Sequence, residues 1–498
     1  KRVMLHSKDG HEANGVCPSC RQGCENYNRR KRAVMATILT GGIVVNADAA
    51  FSADVKIEGE RIIAVGELRS EPSDTVVDVS GMYLFPGMID VHTHLDLDTG
   101  VTRTIDDFPS GTKAAIAGGT TAIVDFATQA KGGTLCEALK EWHEKAAKGD
   151  YCDYGFHMAI VDWNPETCCE MQEMLDSGVS TFKLYMAYKG SLQVEDGVIY
   201  EALLRARELG GLIGFHCENG DLVEALKKQM LDEKKTSPYY HPLSRPDTVE
   251  EEAIYRLGET AKLAGAPVWV VHLSTEKGLN IIRRLRKEGV RIVTETCPQY
   301  LLLDDSRYGK PEDESFEGAK YVISPPLRKP GDASALWKAL QSGEIDLIST
   351  DHCSFDFKGQ KELGRHDFTK IPNGASGLEH RLVLLYSFGV CKNRIKLTEM
   401  VRLLSKEPAE LFGFGDKGAI APGRDADIVV FDPREKWVIS ADSQVQKADY
   451  TPYEGMKVNG RVKRVFLRGR EGFVENRFTT EEPTGKFQIR PTFRQGKW

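Results

Sequence analysis

The alternation of apolar and polar positions divides the chain into distinct textures. From 37 to about 86, short alternating runs (ILTGGIVV, FSADVKIEG, ERIIAVG, TVVDVSG, MYLFPG) are broken by glycine. A period of two marks half-buried strands, so this stretch reads as part of a small sandwich. The same texture returns near the C-terminus at ADIVVFD, MKVNGRV and RVFLRG. Both chain ends are therefore expected to build one small β-sandwich domain, over 35–87 and 416–475, with the middle of the chain enclosed as its own unit.

That middle, 88–415, alternates short apolar runs with longer helical stretches such as GTLCEALKEWHEKAAKG and EEEAIYRLGETAKLAG. Candidate strands fall at 88–92, 121–127, 154–160, 179–186, 212–217, 267–273, 290–295 and 345–350. Eight strands at these intervals predict an α/β chain with a (β/α)8 TIM-like barrel. A doubly wound open sheet is the alternative that counting leaves open. Its nucleotide-binding form has no support, because no GxGxxG opens a helix and no P-loop is present.

Composition removes several function classes. The 498 residues carry 73 acidic and 66 basic side chains, a formal charge of -7. Without a global positive field the chain is a poor candidate for nucleic acid or anionic lipid. No apolar run is long enough to span a bilayer. Eleven cysteines, an odd number at irregular spacing, suit a reduced, cytoplasmic setting. Residues 1–34 show no useful period and no apolar signal core, and read as a disordered or non-native leader ahead of Met35. Cys17, Cys20 and Cys24 there form CxxCxxxC, but the second CxxC of a strong zinc motif is absent. Residues 476–498 read as a C-terminal extension placed to contact a neighbouring subunit.

The ligand-type residues cluster at predicted strand ends. His92 and His94 follow the first strand, Lys183 lies in the fourth, His216 ends the fifth, His272 ends the sixth and Asp351 follows the eighth. In a barrel those ends face one bowl, so six side chains converge on it. Imidazole and carboxylate donors without clustered core cysteines suit zinc or another divalent first-row metal. Lys183 lies within the apolar strand FKLYMAY, where a charged amine is costly. Reaction with CO2 would convert it to a carbamate, an anion able to bridge two metals; the alternative is a lysine that snorkels to solvent.

The sequence resembles the hydantoinase/dihydropyrimidinase family of cyclic amidohydrolases, through FPGMIDVHTHLD, AGGTTAIVDFA, STFKLYMAYKG, HCENGDLV, VHLS, SPPLR, DHCSFDFKGQK, IPNGASGLEHR and KGAIAPGRDADIVVFDP. The resemblance covers about 37–495. It implies one zinc held by His92, His94, carboxylated Lys183 and Asp351, and a second held by Lys183, His216 and His272, with a bridging hydroxide. Manganese or cobalt are possible substitutes. It assigns Tyr188 to the developing oxyanion, Asp351 to proton transfer, and Ser324 and Asn373 to the ring amides, largely through backbone groups. The implied reaction is hydrolytic ring opening of 5-substituted hydantoins to N-carbamoyl amino acids. The alternative is a dihydropyrimidinase acting on dihydrouracil or dihydrothymine. The implied assembly is a homotetramer.

Two departures bear on the choice. Where dihydroorotase-like relatives place an arginine two positions after the second histidine, this chain has Asp96, which disfavours a carboxylated ring. After HTH, LDLDTGVTRTIDDF replaces an apolar stretch common in the family, which favours a bacterial-type hydantoinase or phenylhydantoinase. Allantoinase is less firmly excluded. A non-enzymatic interaction paralogue is disfavoured by the presence of all six metal-ligand positions.

Overall fold

The computed structural model describes residues 36–313 and 315–493. The leader with its CxxCxxxC lies outside them. Among the described residues, eight parallel strands form one sheet in chain order. They are β1 (Met88–Thr93), β2 (Thr120–Thr128), β3 (Asp153–Ala159), β4 (Thr181–Tyr185), β5 (Leu212–His216), β6 (Val268–Val270), β7 (Ile292–Thr296) and β8 (Leu347–Ile348). The sheet curls until its ends meet. His94 donates its N–H to the His352 carbonyl at 2.8 Å, and His352 donates to the His92 carbonyl at 3.3 Å. The open-sheet alternative is thereby set aside in favour of the barrel.

Strand parity explains how the barrel is filled. Ile89, Val91, Ala122, Val124, Phe126, Leu212, Trp269, Val271, Val293 and Leu347 form one buried cluster with Phe412, Phe414 and Phe493. The alternate residues Phe156, Phe182, Leu184, Phe215 and Ile292 belong to the larger cluster shared with the helices. Successive side chains of a strand point to opposite faces, so the first set fills the barrel and the second packs outward. Gly214 makes this interior possible, since a Cβ there would meet the Trp269 ring at 2.5 Å.

The helices are set by local signals. Leu135–Ala146 begins at a reciprocal capping box between Thr134 and Glu137, which satisfies two otherwise orphaned donors. Asp247–Ala264 ends at Gly265 in the left-handed conformation, the usual glycine stop. No described helix is long and apolar enough to cross a membrane.

Two further sheets flank the barrel. A four-stranded sheet orders Arg61–Gly66, Asp54–Glu58, Thr37–Thr40 and Thr75–Asp78. A seven-stranded sheet joins Tyr83–Pro86 directly to Ile428–Val438, so strands from both chain ends pair. The run FSADVKIEG, expected as one strand, divides into Ala50–Ser52 and Asp54–Glu58, one in each sheet. It crosses between the sheets at Ala53, whose N–H bonds to the Gly42 carbonyl.

The C-terminal segment packs against the barrel of its own chain. Phe487 bridges Tyr154, and Phe493 donates its N–H to the Gly210 carbonyl at 2.9 Å. Arg490, fully buried, donates to the carbonyls of Phe156 and Phe412 and to Thr181 Oγ1. Phe412 and Phe493 thus floor the barrel, with Phe412 4.9 Å from the Trp269 ring. Replacing Phe412 with alanine is expected to lower stability by about 3–5 kcal/mol, the usual loss for truncating a buried aromatic. A thermal melt compared with the unmodified protein reads the effect.

Candidate active site

The functional side chains arrive by two routes. Parity alone turns Lys183, His216 and Glu295 inward, in step with Thr181, Leu212 and Val293. His92, His94 and His272 need a change of phase. Between Asp90 and Thr93 the register of β1 against β2 slips, three residues facing two. Ile89 and Val91 therefore face the interior below the slip, while His92 and His94 face it above. His272 follows the inward Val271 and is turned by a backbone φ of 40°. Asp351 has φ 52° and Tyr188 φ 68°. Such left-handed backbone is costly for residues other than glycine and gathers at functional sites.

The same turns explain why two strands are shorter than expected. Within 267–273 the regular strand covers only Val268–Val270, and within 345–350 only Leu347–Ile348. Each loses its regular geometry shortly before a residue that must be re-aimed. Thr350 donates its N–H to the Asp90 carboxylate of β1 at 3.2 Å, in place of a backbone carbonyl.

One cavity of about 320 Å³ collects all nine expected site residues: His92, His94, Lys183, Tyr188, His216, His272, Ser324, Asp351 and Asn373. The Nε2 atoms of His92 and His94 lie 3.1 and 3.2 Å from one oxygen of Asp351. These three residues offer ligand atoms within 4.8 Å of one another, a group able to hold a metal ion. Opposite them, His216 Nδ1 and His272 Nε2 are 2.9 Å apart. Imidazole nitrogens beside a carboxylate oxygen are the donor set that zinc and its first-row neighbours take.

Buried carboxylates fix which nitrogen faces inward. Glu295 Oε1 lies 2.8 Å from His92 Nδ1, and Glu218 Oε2 lies 2.8 Å from His216 Nε2. Each carboxylate holds a ring N–H and leaves the opposite nitrogen for the cavity. Glu218 is in turn paired with Arg245 at 2.5 Å. Although burial works against its ionisation, Arg245 and His216 hold its pKa down to about 2. Sequence reasoning passed over both glutamates. Glu295 carried a signal, since it shares parity with the inward Val293; Glu218, two residues after His216, carried none before the fold was known.

Burial sets the remaining protonation states. It lowers the pKa of His94, His216 and His272, freeing their ring lone pairs. Burial also opposes a charged His92, but Glu295 and Asp351 outweigh it and raise the pKa. Burial would raise Asp351, yet His92 and the other imidazoles hold it well below the ordinary range. Burial raises the Tyr188 phenol, keeping it protonated. Lys183 is buried with its Nζ 4.8 Å from the centre of the Phe126 ring and has no salt bridge among the described residues. Burial pulls its pKa down to about 8.

The chain belongs to the amidohydrolase family. Residues 83–472 match that family's model. The D-hydantoinase of Geobacillus stearothermophilus is 44% identical over 461 residues, covering 92% of this chain and 97% of that protein. A D-phenylhydantoinase of Escherichia coli O1:K1 is 38% identical over 463 residues, 92% of this chain and 99% of that one. The crystal structure of dihydropyrimidinase from Brevibacillus agri NCHU1002 superposes with a TM-score of 0.90 at 44% identity, over 93% of this chain and 100% of that chain. These similarities place the chain in the hydantoinase/dihydropyrimidinase group of the family.

Within this amidohydrolase, Asp96 does not line the cavity as the electrostatic argument from sequence supposed. Its carboxylate is buried and paired with Arg103 at 2.7 Å and Lys148 at 2.9 Å. It anchors the loop whose Leu97, Asp98, Thr99 and Val101 border the cavity. Cys353 also lines the cavity, with burial raising its thiol pKa.

Replacing Glu295 with glutamine is expected to weaken metal binding at this group by roughly 10–100-fold, the usual cost of losing a carboxylate behind a metal-binding histidine. Competition against a chelator measures it, and unchanged affinity would remove Glu295 from the site.

Proposed function

We propose that this protein hydrolyses cyclic ureides, opening 5-substituted hydantoins to N-carbamoyl amino acids. The observation that carries this reading is the convergence of His92, His94, Lys183, His216, His272 and Asp351 on one cavity with Tyr188, Ser324 and Asn373. Its support is the group of hydantoinase and phenylhydantoinase relatives. Similarity to a dihydropyrimidinase structure over nearly the whole chain favours a second substrate class, the dihydropyrimidines, for the same chemistry.

His92, His94 and Asp351 would hold one zinc ion, His216 and His272 a second, with carboxylated Lys183 shared by both. Bound there, the metals would activate water near neutral pH and polarise the ring carbonyl. The chain's own groups complete the chemistry. Asp351, ionised in the cavity lining, takes a proton from the attacking water and delivers it to the ring nitrogen as the carbon–nitrogen bond breaks. The Tyr188 phenol donates a hydrogen bond to the oxygen on which negative charge develops. Backbone groups of Ser324 and Asn373 engage the ring amides. Leu97, Val101, Leu192, Ile371 and Pro372 border the cavity and are apolar, which suits a hydrophobic ring substituent.

Carboxylation of Lys183 consumes a neutral amine: its nitrogen bonds to CO2 and one proton is released. With a pKa of about 8, the neutral fraction grows roughly fivefold between pH 7 and pH 8. Reactivation of metal-stripped protein by zinc at fixed dissolved CO2 is therefore expected to quicken by about that factor over this interval. A rate independent of both pH and CO2 would contradict the modification.

Ring-opening rates on hydantoin, 5-phenylhydantoin, dihydrouracil, allantoin and dihydroorotate, with metal-replete protein and bicarbonate, test the assignment. Turnover is expected on one or more of the first three, and their ratio separates hydantoinase from dihydropyrimidinase. Asp351→Asn is expected to abolish turnover, by a factor of about 10²–10⁴ or more, in protein that still folds. Near-normal turnover by that variant would contradict the proton transfer.

A further inference from the structure

Lys361 lies outside the cavity, in a short turn of 3-10 helix (Lys361–Gly364), and its side chain is fully buried. Its ammonium donates to three carbonyls: Val322 at 2.8 Å, Pro372 at 2.6 Å and Gly374 at 2.7 Å. No salt bridge neutralises it among the described residues. A buried ammonium is costly unless its donors are used, and these three acceptors use them in charge-assisted bonds.

The three carbonyls belong to the two segments that carry Ser324 and Asn373. Those of Pro372 and Gly374 flank Asn373 on either side. On the other segment, Val322 also accepts the Gly374 N–H at 3.1 Å, which ties the two together. His241 Nε2 bonds to the Ile323 carbonyl at 2.7 Å and the Tyr300 hydroxyl to the Pro325 carbonyl at 2.8 Å. Every carbonyl adjoining Ser324 and Asn373 is thus held by a buried group. The backbone N–H and C=O of Ser324 and Asn373 themselves hydrogen-bond to no other described residue, and both residues line the cavity. Gly374 permits the arrangement, since a Cβ there would meet the Cys353 carbonyl at 2.3 Å.

We propose that Lys361 is a positioning residue for substrate: by clamping these carbonyls it fixes the spacing between the Ser324 and Asn373 segments that grip the ring amides. This rests on the ring-binding role given to those two residues above. Lys361 touches no metal-ligand candidate, so its contribution falls on binding and not on metal retention.

Steady-state kinetics on whichever ureide the unmodified protein opens test the proposal, with metal content measured on every variant. Lys361→Met keeps the length of the side chain and removes all three donors. It is expected to raise KM at least tenfold, to leave kcat within about threefold, and to retain full metal. Lys361→Arg, which keeps a cation and its donors, is expected to recover part of the loss. Unchanged KM in folded Lys361→Met overturns the proposal. So does a fall in kcat that tracks lost metal. Failure of the Met, Arg and Gln variants alike to fold assigns the lysine to stability alone and also overturns it. An unmodified protein that opens none of the ureides instead removes the functional reading, and does so before any variant is made.

Discussion

A barrel packed with apolar side chains offers polar groups only one dry place to gather, its open end, and each group there must be satisfied or aimed. The imidazoles of His92 and His216 show how this is met. One nitrogen of each is held by a buried carboxylate, Glu295 or Glu218, so the other can point only into the cavity. Beneath them Phe126 and Trp269 exclude water, with Phe126 4.7 Å from the His92 ring. The low dielectric that results depresses the basicity of Lys183 and of three histidines together. The free imidazole lone pairs, the lowered amine pKa and the protonated phenol therefore share one physical origin in the packing of the barrel.

Regular strand geometry does not suffice to bring these groups together. Lys183 and His216 arrive by alternation, whereas His92 and His94 require a register slip, and His272 and Asp351 require left-handed backbone. Each departure weakens the local ladder, and the shortness of the sixth and eighth strands is the visible result. Barrel closure is made by His92, His94 and His352, so two of the candidate ligands also complete the sheet. Perturbing this corner couples the fold to the chemistry more tightly than perturbing the other strands would.

Much of this was legible in the sequence because barrel strands are short apolar runs and their polar ends stand out. His92, His94, Lys183, His216, His272 and Asp351 were found by that contrast, and the resemblance supplied Tyr188, Ser324 and Asn373. The supporting groups were less visible. Glu218, Arg245 and Lys361 act through contacts distant in sequence or through carbonyls, which leave no residue-level pattern. Asp96 was read as a charge facing substrate, but its ion pairs with Arg103 and Lys148 turn it into a loop anchor. Strand lengths at 267–273 and 345–350 were overstated because hydrophobicity does not report backbone φ.

The floor beneath the barrel ties remote parts of the chain to one another. Phe412, Arg490 and Phe493 seal the end opposite the cavity. Arg490 alone joins three segments, reaching the carbonyls of Phe156 and Phe412 and the hydroxyl of Thr181. A single guanidinium thus makes the third strand, the fourth strand and the turn after Phe412 loosen or hold together, so the sealed end behaves as one cooperative plug and not as separate lids.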